Sequence, residues 1–389
     1  MKTLLKHLGT GLALCVGTCM LGNLPVEANT PETTVNKTLS DDCWNQTSIL
    51  EVARRVADWQ IKDFPNNRYA QSEPRGWIAG ALYMGMFDWA TLSGENSYFD
   101  WLRKIFNRQS WQVGNRMYHA DDVCVAQTYL DFYNKEKKEN MLKPLQARID
   151  WVVEHPSNGS MDLDYSNGST IERWTWCDAL YMAPGVYTRL YALTGNRKYM
   201  HFADSEFRAT YRHLYDTEED LFYRDSRYIG QKEANGKKVF WGRGNGWVIG
   251  GLAEILKTLP ADDQEYRPFY IDLYKKMSAR LAALQGKDGY WHASLLDPES
   301  YPSPETSATG FIVYGLAYGI NSGLLPKDEY LPIVRKGWEA LVAAVESDGK
   351  LGWVQPVGAD PKKVTREMTE LYGTGAFLMA ACEVYKLAK

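Results

Sequence analysis

The chain has 389 residues, 45% hydrophobic and 24% charged, which supplies ample apolar material for a large core and no basis for disorder. A formal charge of −4, from 44 basic and 48 acidic residues, argues against a nucleic-acid binder held by a basic face. Aromatic residues reach 13%, with 14 Trp and 25 Tyr, a composition that suits stacking on flat sugar faces as well as core packing.

Residues 1–28 read as a signal peptide. Lys2, Lys6 and His7 form a basic start, an apolar run extends from Leu8 to Leu21, and Val26-Glu27-Ala28 offers small residues for cleavage. The run is too short to span a bilayer comfortably. Leu14 and Thr18 are poor lipobox residues before Cys15 and Cys19, so cleavage after Ala28 is favoured over acylation. The expectation is a periplasmic or secreted protein with no membrane span, folded over 29–389 as a single domain. Cys43, Cys124, Cys177 and Cys382 match no zinc spacing, and neither a structural metal nor a cofactor is expected.

Apolar periodicity then predicts helices over 47–63, 77–92, 97–109, 121–135, 141–154, 178–193, 197–214, 244–258, 264–284, 305–322, 328–345 and 373–387. They alternate in character. Trp77 to Leu92 is apolar on nearly every side and rich in small residues, whereas Glu51 to Asp63 is amphipathic. All-round apolar helices are buried and striped ones keep a wet face. Six of each predict six helical hairpins closed around an axis, an all-α (α/α)6 barrel. An open solenoid would show more even repeat intervals. Leu221 to Tyr228 and the stretch from Gly352 to Val357 read as short hairpin arms.

In such a barrel the inner helices point one way, and their N-termini share a rim. Polar and aromatic residues gather at those starts: His119, Asp121 and Asp122; Trp174, Trp176 and Asp178; Arg243 and Trp247; Glu305. Each has a bland alternative as a helix cap, a core histidine or a structural ion pair. The Gly242, Gly244 and Gly246 alternation lacks the strand and βαβ context of a dinucleotide loop. Convergence of acids, an arginine and tryptophans at one end favours a site.

Several motifs there resemble the unsaturated glycuronyl hydrolases of glycoside hydrolase family 105, especially the unsaturated rhamnogalacturonyl hydrolases. They are HADDVCVAQTYLDFY from His119, WTWCDALYMAPGVYTRL from Trp174, WGRGNGWVIGGLAEIL from Trp241, and DGYWHASLLDP and SPETSATGFIVYGLAYGI from Asp288 and Ser303. The resemblance spans nearly all of residues 29–389 and implies an (α/α)6 barrel. It implies removal of a 4,5-unsaturated uronic acid from lyase-generated oligosaccharides, by acid/base hydration of the C4=C5 bond rather than attack at the anomeric carbon. Asp178 matches the family's general acid/base. Trp77, Trp176, Arg243 and Trp247 match substrate-site positions, with Arg243 a candidate for the uronate carboxylate. His119, Asp121 and Asp122 join that site, and either aspartate is a candidate to assist Asp178.

The implied partner is a small unsaturated oligosaccharide, galacturonyl- or glucuronyl-rhamnose, and no nucleic acid; the oligomeric state stays open. The competing readings are another (α/α)6 enzyme, such as an unsaturated chondroitin disaccharide hydrolase or an inverting glycosidase, and a non-catalytic sugar-binding protein. Proton transfer to an enol ether needs no metal. Activity is therefore expected to survive EDTA; a large loss restored by a divalent ion would contradict the metal-free reading.

Overall fold

A computed structural model describes residues 43–388. The expected signal peptide and Cys15 and Cys19 lie outside the described residues. Among these residues, counting two interrupted helices once each, twelve long helical spans build the barrel, and the short helix Arg68–Ser72 lies between the first two. The twelve are α1 Gln46–Asp63, α2 Trp77–Ser93, α3 Asn96–Arg108, α4 Ala120–Val123 with Ala126–Glu136, α5 Lys143–Glu154, and α6 Ala179–Met182 with Pro184–Thr194. They continue with α7 Arg197–Leu214, α8 Gly242–Thr258, α9 Arg267–Ala283, α10 Thr306–Asn321, α11 Lys327–Ala343 and α12 Leu371–Leu387.

The even-numbered helices form the inner ring. Each packs on the next, α2 on α4, α4 on α6 and onward to α10 on α12, and α12 packs back on α2. That last contact closes the barrel and excludes the open solenoid. Outer helices α3, α7, α9 and α11 lie against α2, α6, α8 and α10, and α1 lies against α12. The whole of α10 from Thr306 to Ile320 is buried, as an all-round apolar sequence requires.

Ring closure needs close main-chain approach. A Cβ on Gly85 of α2 would collide with the Gly375 main chain of α12, and one on Gly375 would collide with Ala81. The tightness is mutual, so neither position has room for alanine.

Three expectations need correction. The span 121–135 is divided at Cys124 and Val125 into Ala120–Val123 and Ala126–Glu136. The span 178–193 is not one helix: Pro184 has no N–H to continue the ladder and opens a second segment after Ala183. The 352–357 stretch forms no strand. Its main chain instead meets the rim, where Thr306 N donates to Trp353 O at 2.9 Å and Val354 N to Met368 O at 3.0 Å. Part of the other predicted arm does pair, with Leu221–Phe222 antiparallel to Tyr215–Asp216. Cys124, Cys177 and Cys382 are buried free thiols and Cys43 is buried, and no described helix is long and apolar enough to cross a membrane.

Toward the C-terminal ends of the inner helices the barrel is filled with charge. Arg189 of α6 donates to Asp131 of α4 at 2.9 Å and to Glu254 of α8 at 2.6 Å. Lys257 lies 3.5 Å from Asp88 of α2, and the Tyr314 hydroxyl of α10 donates to Glu254. Burial opposes charge on Glu254, but Lys257, Arg189 and the Tyr314 bond outweigh it and hold its carboxyl down at about 2. Removing one member of such a pair strands the other charge, a loss of about 3–5 kcal/mol. Arg189→Met is expected to destabilise the fold by that order in denaturant titration, and the double variant Arg189→Met with Glu254→Gln to recover part of the loss.

Candidate active site

Trp77 begins α2 at the opposite rim. Its half-buried ring stacks on Tyr372 with centroids 5.3 Å apart and an interplanar angle of 22°. Trp247 meets it edge-on at 5.8 Å. Trp247 itself is fully buried against Phe311 and Tyr181, so it supports the platform from beneath. Trp77 is the ring available to a ligand face.

The turn into α4 sets three polar residues. His119 Nδ1 accepts the Asp121 N–H at 3.3 Å, and the ring packs 4.9 Å from Trp176. An accepting Nδ1 assigns the proton of the neutral ring to Nε2. Asp122 turns away into a brace. Its Oδ1 accepts from Arg116 Nε at 3.0 Å and Nη2 at 2.5 Å, and its Oδ2 accepts the Arg116 N–H at 2.7 Å. Asp121 has no such fork; among the described residues its one ionisable partner within salt-bridge range is His119, at 3.6 Å. The structure thus separates two aspartates that the sequence left equivalent.

Asp178 lies just before α6. Its main-chain neighbours are latched to the segment after Leu221–Phe222: Cys177 N donates to Arg224 O at 2.8 Å, and Trp176 bridges to Asp225. The latch lays the Arg224 guanidinium on the acid, with Nε 3.4 Å from Asp178 Oδ2. Arg224 Nη1 also donates to Asp225 at 2.7 Å and to the Tyr165 hydroxyl at 3.1 Å. Sequence reasoning missed Arg224. The signal was the run Arg224-Asp225-Ser226-Arg227, more charge than an ordinary strand arm carries.

Arg243 is placed differently from its sequence-based role. It is 0% exposed, and its terminal nitrogens donate to the carbonyls of Gln355 and Pro356. The rings of Trp241 and Tyr372 flank it at 4.4 and 4.8 Å. Its fork clamps the rim loop. Glu305 is likewise a wall residue, capping α10 through Ser307 N and Ala308 N and holding Gln355 N at 3.0 Å.

The acids nevertheless share one field. Burial pushes the Asp121 carboxyl up to about 7, against Arg116 and Arg224 and with help from the Asp178 charge. Burial also raises Asp178, opposed by Arg224 and Arg243. Burial and the Arg116 charge lower His119 to about 4, keeping it neutral near pH 7. Asp121 thus holds its proton into the neutral range, and at Asp178 burial outweighs the cationic neighbours, so that carboxyl too is raised. A cleft of about 530 Å³ opens beside Asp121, lined by half-buried Trp77 and Arg75 and by exposed Glu73 and Arg116.

An aromatic platform, a pair of carboxyls raised by their surroundings and a cleft at one end of a double helical ring define a glycoside hydrolase. The sequence model of Glycosyl Hydrolase Family 88 matches residues 52–388, and the chain belongs to that family. The resemblance to unsaturated glycuronyl hydrolases thereby stands, with family 88 as the matching model. An unsaturated 3S-rhamnoglycuronyl hydrolase from Alteromonas sp. (strain LOR) is 35% identical, over 98% of each chain. One of the same name from Formosa agariphila is 39% identical, over 81% of this chain and 85% of its own. A solved family 88 glycosyl hydrolase from Bacteroides vulgatus has a TM-score of 0.79 at 33% identity, covering 88% of this chain and 99% of that one.

The raised Asp121 carboxyl has a consequence for stability. An unfolded aspartate loses its proton near pH 4, about 3.9, whereas the native one keeps it to about 7. Between these values the native state binds more protons, so stability falls as pH rises, and the full penalty stands above the native value. Asp121→Asn removes the ionisable group. Calorimetry is expected to show the variant melting at least about 2 °C above wild type near pH 8, with the gap closing near pH 4.

Proposed function

We propose that the protein removes a 4,5-unsaturated uronic acid from the non-reducing end of lyase-generated oligosaccharides, with Asp178 as general acid and base. The observation that carries this reading is the buried Asp178 lying 3.4 Å from Arg224 and within the field of a second, half-buried acid, Asp121. The enol ether of the unsaturated sugar is electron-rich at C4. Asp178 gives its proton to C4, and the positive charge that develops at C5 is shared with the ring oxygen. Water adds at C5 and returns a proton to the Asp178 carboxylate. The C5–O5 bond of the hemiketal then breaks to a ketone. C1 is left as a hemiacetal that collapses to an aldehyde and frees the aglycone.

Arg224 gives this sequence its timing. With the site empty, its charge opposes protonation of Asp178. The uronate carboxylate is bonded to C5, so the cation that reads it must stand beside the group that protonates C4. Arg224 meets that requirement, whereas the Arg243 terminal nitrogens are committed to main-chain carbonyls. An anion at Arg224 offsets the cation's hold on Asp178 and raises its proton affinity when substrate is present. Trp77 supplies a stacking face, and Asp121 and neutral His119 complete the wall.

The names of the two family relatives support a rhamnose aglycone sulfated at O3, rather than the plain galacturonyl-rhamnose of pectin. The basic and then apolar start of the chain supports export through a leader at 1–28, to the periplasm or beyond, with 29–389 as one mature domain.

Asp178→Asn tests the central step. Asn is nearly isosteric but has no acidic proton, and general acid–base assistance is worth about 10²–10⁴ in rate. A loss of at least about 10³ in kcat is expected, followed by the ultraviolet absorbance of the enol ether, with little change in melting temperature. Reaction in D₂O should place deuterium at C4 of the released sugar, and the saturated disaccharide should stay uncut. A variant that kept a tenth of wild-type turnover would remove Asp178 from the role.

A further inference from the structure

We propose that the outer wall of the cleft, Arg75 with Arg116, is the subsite for an anionic substituent on the aglycone, a sulfate monoester. The inference rests on the hydration reading above and extends it from the reacting sugar to its neighbour. In a terminal pyranose the anomeric carbon lies across the ring from C4. If C4 and C5 face the acids, the aglycone projects away from them, toward the mouth. The cleft has that gradient: Trp77 and Asp121 are half-buried, as is Arg75, whose guanidinium reaches outward to Asn115, whereas Asn115 and Arg116 are exposed. Its volume of about 530 Å³ falls inside the usual range for small-ligand pockets, about 300–1,000 Å³.

The cations on that wall are held in place. Arg75 Nη2 donates to Asn115 Oδ1 at 3.1 Å, and among the described residues no carboxylate forms an ion pair with it. Arg116 is fixed along one edge by Asp122 while its side chain stays 54% exposed. Behind the loop, Arg148 of α5 donates to the Gly114 carbonyl at 3.2 Å and the Arg116 carbonyl at 2.9 Å. That brace fixes the 114–116 main chain, so the two guanidinium groups need little ordering when a ligand arrives. Of the acids on the cleft, Asp122 is spent on Arg116 and Asp121 lies on the inner side. Glu73 also lines the cleft and its charge reaches Arg116, so the hold on a sulfate rests chiefly on Arg75, with Arg116 beside it.

A neutral sugar gains little from an uncompensated cation. A sulfate oxygen gains charge-assisted hydrogen bonds, and the planar fork of arginine suits a tetrahedral oxyanion. Bonds of that kind are worth about 10–100-fold in affinity.

The test compares two substrates, unsaturated glucuronyl-rhamnose 3-sulfate and its desulfated counterpart, by kcat/KM. Wild type should prefer the sulfated compound by about 10-fold or more, carried mainly in KM, and the preference should shrink with added salt. In Arg75→Gln the ratio between the substrates should collapse toward one. In Arg116→Lys, which keeps the charge facing Asp122 but loses the fork, it should fall part of the way, with melting temperatures confirming both folds. Equal rates on the two substrates by wild type would overturn the subsite, as would a loss in Arg75→Gln that is the same for both. Turnover of neither by wild type would defeat the hydration reading itself, and the subsite with it.

Discussion

Six inner helices can close a ring only if their main chains come nearer than ordinary side chains allow, and the rest of the structure depends on that approach. At the α2–α12 seam it is met by Gly85, whose Cβ space is filled by the Gly375 main chain, and by Gly375, whose space is filled by the Ala81 main chain. At α6–α8 it is met by Gly251, where a Cβ would run into the Leu180 carbonyl. Gly251 lies one turn before Glu254, and Leu180 lies two residues after Asp178. The same contact that closes the ring therefore sets the distance between the ion network at one end and the acid at the other.

Closure divides the barrel's polar chemistry between its ends. Toward the C-terminal ends of the inner helices, Arg189, Asp131, Glu254 and Lys257 neutralise one another, and their role is structural. At the N-terminal rim compensation is incomplete. Asp121 has no guanidinium fork, and Arg224 Nε is buried without a hydrogen-bond partner among the described residues. Burying partly compensated groups costs stability, and that cost is the usual mark of a site built for chemistry.

The sequence made the twelve helices legible because burial writes itself into period. A helix such as Thr306–Asn321, wet on no side, has no polar stripe, and its outer neighbour Lys327–Ala343 does. It also made the rim legible, since the helix starts carry His119, Asp121, Asp178 and Arg243 together. Partnership was not legible. Nothing in consecutive letters says that Asp122 is taken up by its own turn while Asp121 is left without a guanidinium, because that choice is made when Arg116 folds back on Asp122. The 352–357 stretch alternates like a strand, yet its main chain is claimed by the rim through Thr306, Glu305 and Arg243.

The exchange between the two arginines follows from what each carries beneath it. Arg243 sits on the first turn of an inner helix, so its side chain is enclosed by the wall, between Trp241 and Tyr372, where its terminal nitrogens are taken up by main-chain carbonyls. Arg224 sits on an outer connection, and the main-chain latch from Cys177 brings it over the rim from above. A residue rooted in the wall shapes the site; a residue laid across the rim can meet what enters. The motif arginine thereby fixes the loop that encloses the cleft, and the one outside the motif holds the charge beside the acid. A barrel of this kind can vary its long connections without disturbing the ring, so the cation beside Asp178 can change while the acid and its helix stay in place.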